Sequence, residues 1–217
     1  LVYSDVPPDS IVLKGVDEYY NSLGYNVVGM LPGKSKPEEI VIFSAHYDHM
    51  GVNRNQKKDS ILNGANDDAS GVTALIHLAE YFAKKADNER TILFCAFSGE
   101  EVGLKGSANF INYLNPEKII AGINIEMIGI PQYGINNVFI TGMQYSSLPS
   151  ILKQRSKEMG IKVKHEPELR KRLFQRSDNY TFAKAGIPAH TIMSSDDDDK
   201  CYHKPCDEVK RINIPHM

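Results

Sequence analysis

The sequence predicts a single α/β domain over residues 1–217, a three-layer α/β/α sandwich around a mixed, largely parallel sheet. Short, nearly continuous apolar runs recur along the chain, which is typical of strands buried on both faces. Stretches with apolar residues at helical spacing lie between these runs, so strands and helices alternate. The 217 residues are enough for one such domain with a sizeable core.

Five strands are predicted from these runs. The first covers residues 25–30, and the turn Leu31-Pro32-Gly33 follows it. We expect this strand to pair antiparallel with the next one along the chain. The remaining strands are predicted at residues 40–43, 91–97, 119–128 and 187–193.

Two helices are predicted between the strands. Val72, Leu75 and Phe82 are among the apolar residues that recur at helical spacing from residue 71 to about residue 85. A second helix is predicted around residues 148–159, where Gly160 ends it. Both helices would cover a face of the sheet.

Acidic and imidazole groups follow the apolar runs, at the places where strands would pass into loops. In open α/β sheets, ligands gather at the carboxyl ends of strands. Two histidines and three carboxylates are the nitrogen and oxygen ligands that zinc takes. One carboxylate shared between two ions would complete a pair of sites suited to hydrolysis. The groups lie in residues 46–49, 67, 100–101, 126 and 202–203.

Four segments carry a joint pattern: SAHYDH at 44–49, NGANDDASG at 63–71, SGEEVGL at 98–104 and NIEMIG at 124–129. Together they resemble the co-catalytic di-zinc aminopeptidases, a group that includes secreted bacterial leucyl aminopeptidases, aminopeptidase Y, glutamate carboxypeptidase and, more distantly, glutaminyl cyclases. Residues 176–189 and 202–207 continue the resemblance, which covers roughly residues 25–210. It implies a hydrolase that binds two Zn²⁺ and removes N-terminal residues from peptides.

The resemblance also implies a ligand for each ion. One zinc would be bound by His46, Asp67 and Glu126, and the other by Asp67, Glu101 and His203, with Asp67 shared. Glu126 stands where the family often has aspartate, and glutamate is also a competent zinc ligand.

Further roles follow from the same resemblance. Glu100 would be the general base, and Asp48 the carboxylate that orients His46. Asp68 would support the shared carboxylate, to which a non-proline cis peptide bond joins it. Tyr202 would either donate a hydrogen bond to the oxyanion of the transition state or be a packed aromatic.

Other polar residues are expected to have no catalytic role. His49 is interpreted as a loop histidine that binds no metal, and residues 196–199 as an exposed acidic loop. The basic residues at 170–172 and 176 are expected to form a solvated face, although they could also attract acidic substrates. Cys201 and Cys206 could form a disulfide or remain two thiols.

Composition limits the possible partners. A net charge of −2 gives no electrostatic basis for binding nucleic acid, and no apolar run is long enough to span a membrane. The start of the chain and the family pattern lead us to expect a secreted or periplasmic protein without its N-terminal segment and a C-terminal closing helix. The oligomeric state and the preferred side chain stay open.

Three alternatives to an aminopeptidase remain. A glutaminyl-peptide cyclotransferase is the first, although such cyclases carry tryptophans around the substrate and this chain has none. A carboxypeptidase for acidic termini on the same scaffold is the second. The third is a non-catalytic binding module, which the presence of all five ligands and the base argues against.

Overall fold

The computed structural model describes residues 23–217, which form one seven-stranded sheet with helices on both faces. The strands are β1 (Val27–Leu31), β2 (Lys36–His46), β3 (Arg90–Phe97), β4 (Ile119–Ile125), β5 (Asn137–Ile140), β6 (Lys162–Lys164) and β7 (Ala189–Met193). The α-helices are α1 (Ser70–Lys85), α2 (Lys105–Phe110), α3 (Leu148–Glu158) and α4 (Asn179–Lys184). Residues 1–22, which the single predicted domain included, lie outside the described part of the chain.

The sheet is mixed and largely parallel, as predicted, with strand order β1-β3-β2-β4-β7-β5-β6. β2 pairs in parallel with both β3 and β4, and β4 pairs in parallel with β7. β1 pairs antiparallel with β3, so the predicted pairing of β1 with the next strand along the chain was wrong. β3 lies between β1 and β2 and takes the hydrogen bonds of both strands.

The side chains of β3 show how the three layers form. Because successive side chains of a strand point to opposite faces, Ile92 and Phe94 pack under α1, while Leu93 and Cys95 face the other layer. There, Phe182 of α4 lies with its ring centroid 5.9 Å from that of Phe97. The predicted three-layer sandwich is confirmed.

The ends of the elements have local causes. β4 stops at Ile125, three residues before the predicted end, because Met127 adopts a left-handed conformation with φ 51°. α1 ends where Ala86 adopts a left-handed conformation and its N–H donates to the carbonyl of Phe82. Among residues 23–217, no helix combines the length and apolar character needed to cross a membrane.

Candidate metal centre and substrate cavity

Three neighbouring strands bring candidate ligands to one edge of the sheet. β2 ends at His46, which is paired in register with Phe97 at the end of β3. Glu126 directly follows the end of β4, the other neighbour of β2. The carboxyl ends of parallel strands meet at the same edge, and these residues are therefore adjacent.

Asp67 lies at the centre of the site. Its side chain is buried, and each of its two oxygens faces a different imidazole. Oδ1 is 3.1 Å from Nε2 of His46, and Oδ2 is 3.1 Å from Nε2 of His203. The peptide bond from Asp67 to Asp68 is cis, as the resemblance implied. The geometry suits a carboxylate shared by two cations.

The first potential ligand set consists of His46, Asp67 and Glu126, all buried. One donor atom from each lies within 4.8 Å of the others. Ser177 donates a short hydrogen bond to Oε2 of Glu126, and Nδ2 of Asn124 donates to the same oxygen over 3.3 Å. The second oxygen of Glu126 is left for another partner.

The second potential set lies on the other side of Asp67. His203 Nε2 is 3.2 Å from Oε2 of Glu101, and His49 Nδ1 is 2.8 Å from Oε1 of Glu101. The donor atoms of His49, Asp67 and Glu101 also lie within 4.8 Å of one another. His49 was interpreted as a loop histidine outside the site, yet the structure places it against a predicted ligand.

Several of these atoms lack well-directed hydrogen bonds. Among the described residues, both ring nitrogens of His49, Nε2 of His203 and Oε1 of Glu101 are buried without a hydrogen-bond partner. Buried polar atoms in this state are rare in proteins, and a bound ion is one arrangement that would satisfy them. Imidazole nitrogens and carboxylate oxygens fit zinc.

The surrounding charges give the same indication. Burial and the nearby Glu126 carboxylate raise the pKa of Glu100 to about 10. Burial raises the pKa of Glu126 to about 7, because the attraction of His46 only partly offsets it. Contacts with Asp67 and Glu101 raise the pKa of His203 to about 9. Divalent cations would relieve this excess of negative charge.

Three aspartates hold the backbone of the site. The Asp48 carboxylate accepts the backbone N–H groups of Glu100 at 3.1 Å and Glu101 at 3.3 Å. It lies 3.7 Å from Nδ1 of His46, too far for a hydrogen bond, and this nitrogen is instead 3.1 Å from the backbone carbonyl of Asp48. The Asp48 carboxylate was predicted to orient His46, but in the structure the backbone carbonyl of Asp48 makes this contact.

Asp68 and Asp207 act on the other segments. Asp68 accepts backbone N–H groups from the end of β2, the start of α1 and the residue after Glu126. Asp207 accepts the backbone N–H of Asp67 at 3.1 Å, which fixes the shared carboxylate. Sequence analysis missed Asp207 and Ser177, although both lie in segments that carried the family resemblance.

His203 lies in a loop closed by a disulfide between Cys201 and Cys206, the bridged one of the two predicted alternatives. The ring of Tyr202 stacks on that of His203, with 3.8 Å between centroids. Burial and the negative charge of Asp67 raise the pKa of Tyr202, so its phenol stays protonated and can donate a hydrogen bond.

A cavity of about 450 Å³ opens beside the two ligand sets. Glu100 and Tyr202 line it together with the apolar side chains of Leu173 and Met193. Its size is that of a small-molecule site. The predicted base and the predicted hydrogen-bond donor therefore line one open cavity beside the candidate ligands.

The acidic run and the basic stretch differ from the predictions. Asp196 and Asp199 are buried, so residues 196–199 are not an exposed loop. Lys171 is only 12% exposed and forms ion pairs with Asp196, Asp197 and Asp198 at 3.3, 2.7 and 2.6 Å. The expectation of a solvated basic face was therefore wrong for Lys171, which is paired with the acidic run.

Comparisons with known proteins agree with this site. Residues 26–217 match the sequence model of peptidase family M28. Aminopeptidase YwaD of Bacillus subtilis is 24% identical over 203 residues, which are 90% of this chain and 42% of that protein. Among solved structures, the Legionella pneumophila LapA aminopeptidase superposes with a TM-score of 0.73 at 21% identity, covering 88% of this chain and 50% of that one.

A glutaminyl cyclase of Porphyromonas gingivalis shares the fold as well, with a TM-score of 0.69 at 18% identity over 95% of this chain and 77% of its own. The chain spans about half the length, or less, of the two aminopeptidases it resembles. The fold is thus common to peptidases and cyclases, and the choice between them depends on the site.

Proposed function

The chain belongs to peptidase family M28, and on that premise we propose that it is a zinc-dependent aminopeptidase that hydrolyses the N-terminal residue of peptides. The observation that carries the proposal is the position of Asp67, whose two oxygens face His46 and His203 beside the carboxyl group of Glu100. Two ligand sets that share one carboxylate support a pair of zinc ions, with His46, Asp67 and Glu126 in one set and Asp67, Glu101 and His203 in the other.

The residues of the chain have distinct tasks in this reaction. Bound zinc supplies Lewis acidity, which lowers the pKa of water and polarises a carbonyl group. Glu100 accepts the proton of the attacking water and passes it to the leaving nitrogen. Its raised pKa in the protein alone would fall as positive charge beside Glu126 removes the repulsion between the two carboxylates.

Tyr202 serves the other charge that develops in the reaction. Its phenol lines the cavity, and its ring is fixed by stacking on His203. It donates a hydrogen bond to the oxygen that becomes negative when water attacks the carbonyl carbon. The N-terminal ammonium of the substrate is attracted to the carboxylates at the same end of the cavity.

The cellular location is also a proposal. The Cys201–Cys206 disulfide supports an oxidising compartment, and hence a secreted or periplasmic protein. A peptide with a free N-terminus is the proposed partner, and nothing in the charge of the chain favours nucleic acid.

A substrate panel with and without chelator tests the proposal. Aminoacyl-coumarin amides report aminopeptidase activity, N-terminal glutaminyl peptides report cyclisation, and N-acylated dipeptides report carboxypeptidase activity. We expect release from free N-termini that chelator abolishes and zinc restores. Glu100→Gln should bind zinc without this activity, whereas Lys157→Gln, a surface variant on α3, should behave as the wild type. Cyclisation without hydrolysis would contradict the proposal.

A further inference from the structure

The cavity carries charged side chains that the proposed chemistry does not use. Away from the candidate ligands, its wall includes Arg176, Asp197 and Lys184, beside apolar side chains such as Leu173. Two of these three charges are cationic, and they face the space that a substrate would enter. Whether each charge is available to a ligand depends on the ion pairs that the side chain already forms within the protein.

Arg176 and Asp197 neutralise each other. Nη1 of Arg176 lies 2.7 Å from Oδ2 of Asp197, and Lys171 approaches the other oxygen of Asp197 to 2.7 Å. The negative charge of Asp197 is therefore compensated from two sides. Neither Asp197 nor Arg176 offers an unpaired charge to the cavity.

Lys184 differs from Arg176 because it forms no ion pair with a carboxylate of residues 23–217. Its Nζ lies 5.0 Å from the centroid of the Tyr180 ring, one turn earlier on α4, and both residues line the cavity. Such a contact on an exposed lysine is weak and leaves the N–H donors of the ammonium free. Within the described part of the chain, Lys184 is thus a cation of the wall without a carboxylate partner.

We propose that Lys184 binds a carboxylate of the substrate, so that the chain prefers short peptides with a negative charge close to the N-terminal residue. This inference rests on the proposed function, since it concerns the substrate of the same cavity. The ammonium end of such a peptide is attracted by the acidic side of the cavity, and its carboxylate by Lys184. The carboxylate belongs either to an acidic second side chain or to the C-terminus of a dipeptide.

Matched substrates isolate this charge. Leucyl-glutamate amide and leucyl-glutamine amide differ only in the side-chain charge, while free leucyl-glycine and its amide differ only at the C-terminus. For Lys184→Gln we expect the charged-to-neutral ratio of kcat/KM to fall about two- to fivefold in one of these pairs, as for a partly exposed ion pair. The affected pair identifies which carboxylate Lys184 binds.

Two control variants separate charge from shape. Lys184→Arg keeps the positive charge and should retain most of the ratio. Lys157→Gln removes an exposed lysine that does not line the cavity and should retain all of it. In the wild type, the ratio should also decrease as salt rises from about 0.05 to about 0.5 M, because ions screen exposed charges. An unchanged ratio in Lys184→Gln for both substrate pairs would overturn the inference.

Binding to the metal-free protein tests the inference apart from the activity. A leucyl-glutamate analogue with a reduced, non-hydrolysable peptide bond carries both a side-chain and a C-terminal carboxylate. Whichever of the two Lys184 binds, the analogue should bind Lys184→Gln about two- to fivefold more weakly than the wild type in calorimetry. Weaker binding without hydrolysis of any substrate would support the Lys184 site and refute the aminopeptidase. If the wild type hydrolyses peptides, but Lys184→Gln binds the analogue equally well and has the same charged-to-neutral ratios of kcat/KM, the aminopeptidase is supported and the Lys184 site is refuted.

Discussion

The Cys201–Cys206 disulfide encloses a proposed zinc ligand, and breaking it should have a measurable cost. Cys206 is exposed and Cys201 is buried, so Cys206→Ser removes the cross-link with little loss of packing. The two cysteines are five positions apart, and the loop-entropy relation gives about 2 kcal/mol for a ring of this size. In a domain of this length, such a change lowers Tm by about 4–8 °C.

Loss of the disulfide should also weaken zinc binding by His203. Its φ of 51° is unfavourable for a residue with a side chain, and the closed loop helps to hold it there. Without the cross-link, zinc binding must order this loop, so the affinity of the set containing His203 should fall more than that of the set containing His46.

Calorimetric melting of the metal-free wild type and Cys206→Ser, together with zinc titration, measures both effects. Reductant should lower the Tm of the wild type towards that of the variant and leave the variant unchanged. Lys200→Gln, an exposed substitution next to the loop, is the control for local surface changes. An equal Tm in the oxidised wild type and in Cys206→Ser would refute the reasoning and assign the order of the loop to Asp207, which binds the backbone of Asp67.

Three other predictions concern the ligands and the base. Glu100→Gln should lower kcat at least about 10²-fold and keep its zinc, whereas Glu101→Gln should lose both activity and zinc. Metal analysis with steady-state kinetics separates the two variants, and near-normal turnover of Glu100→Gln would exclude Glu100 as the base. Ser177→Ala removes the hydroxyl that donates to Glu126 and should weaken zinc binding about 10- to 100-fold in a chelator competition, so an unchanged affinity would assign that hydrogen bond no role. The metal-free protein should lose stability as pH rises from about 6.5 to about 9, because folded His203, with its pKa raised to about 9, keeps a proton that the unfolded chain releases. Denaturant unfolding at both pH values measures this change, and greater stability at the higher pH would contradict the prediction.

The core elements could be predicted because their signals are local. The apolar run at 91–97 is buried on both faces in the structure, and α1 begins one residue before its predicted start. The strand–helix alternation then places the strand ends at one edge. Burial of a continuous run needs no knowledge of its partners, and the sheet followed from such runs.

Elements that depend on distant partners could not be predicted. β6 has only three residues, two of them exposed lysines, and is a strand only because β5 lies beside it. Asp199 is buried because Arg211, twelve positions away, donates to both of its carboxylate oxygens at 2.6 and 3.1 Å. A run of four aspartates without these partners would be solvated, and the partners are not visible in a local window.

The site has the same mixture of local and distant causes. Spacing alone does not decide between His46 and His49, which are three residues apart in one sequence segment. In the structure, His46 continues the strand direction and is buried, while His49 returns to Glu101 from the loop. The path of the chain between the two histidines, rather than their residue type, separates their positions.

The aspartates that do not face the two candidate ions explain why the site is also costly for the fold. Asp48, Asp68 and Asp207 accept backbone N–H groups from the segments that carry the ligands, and so they fix those ligands before any ion is bound. Using aspartates for this task also places further carboxyl groups beside Asp67 and Glu126. Burial raises the pKa of Asp68 well above its usual value. A pre-organised site therefore stores electrostatic repulsion, which bound cations would relieve, and metal binding should stabilise the fold through the residues that it uses for catalysis.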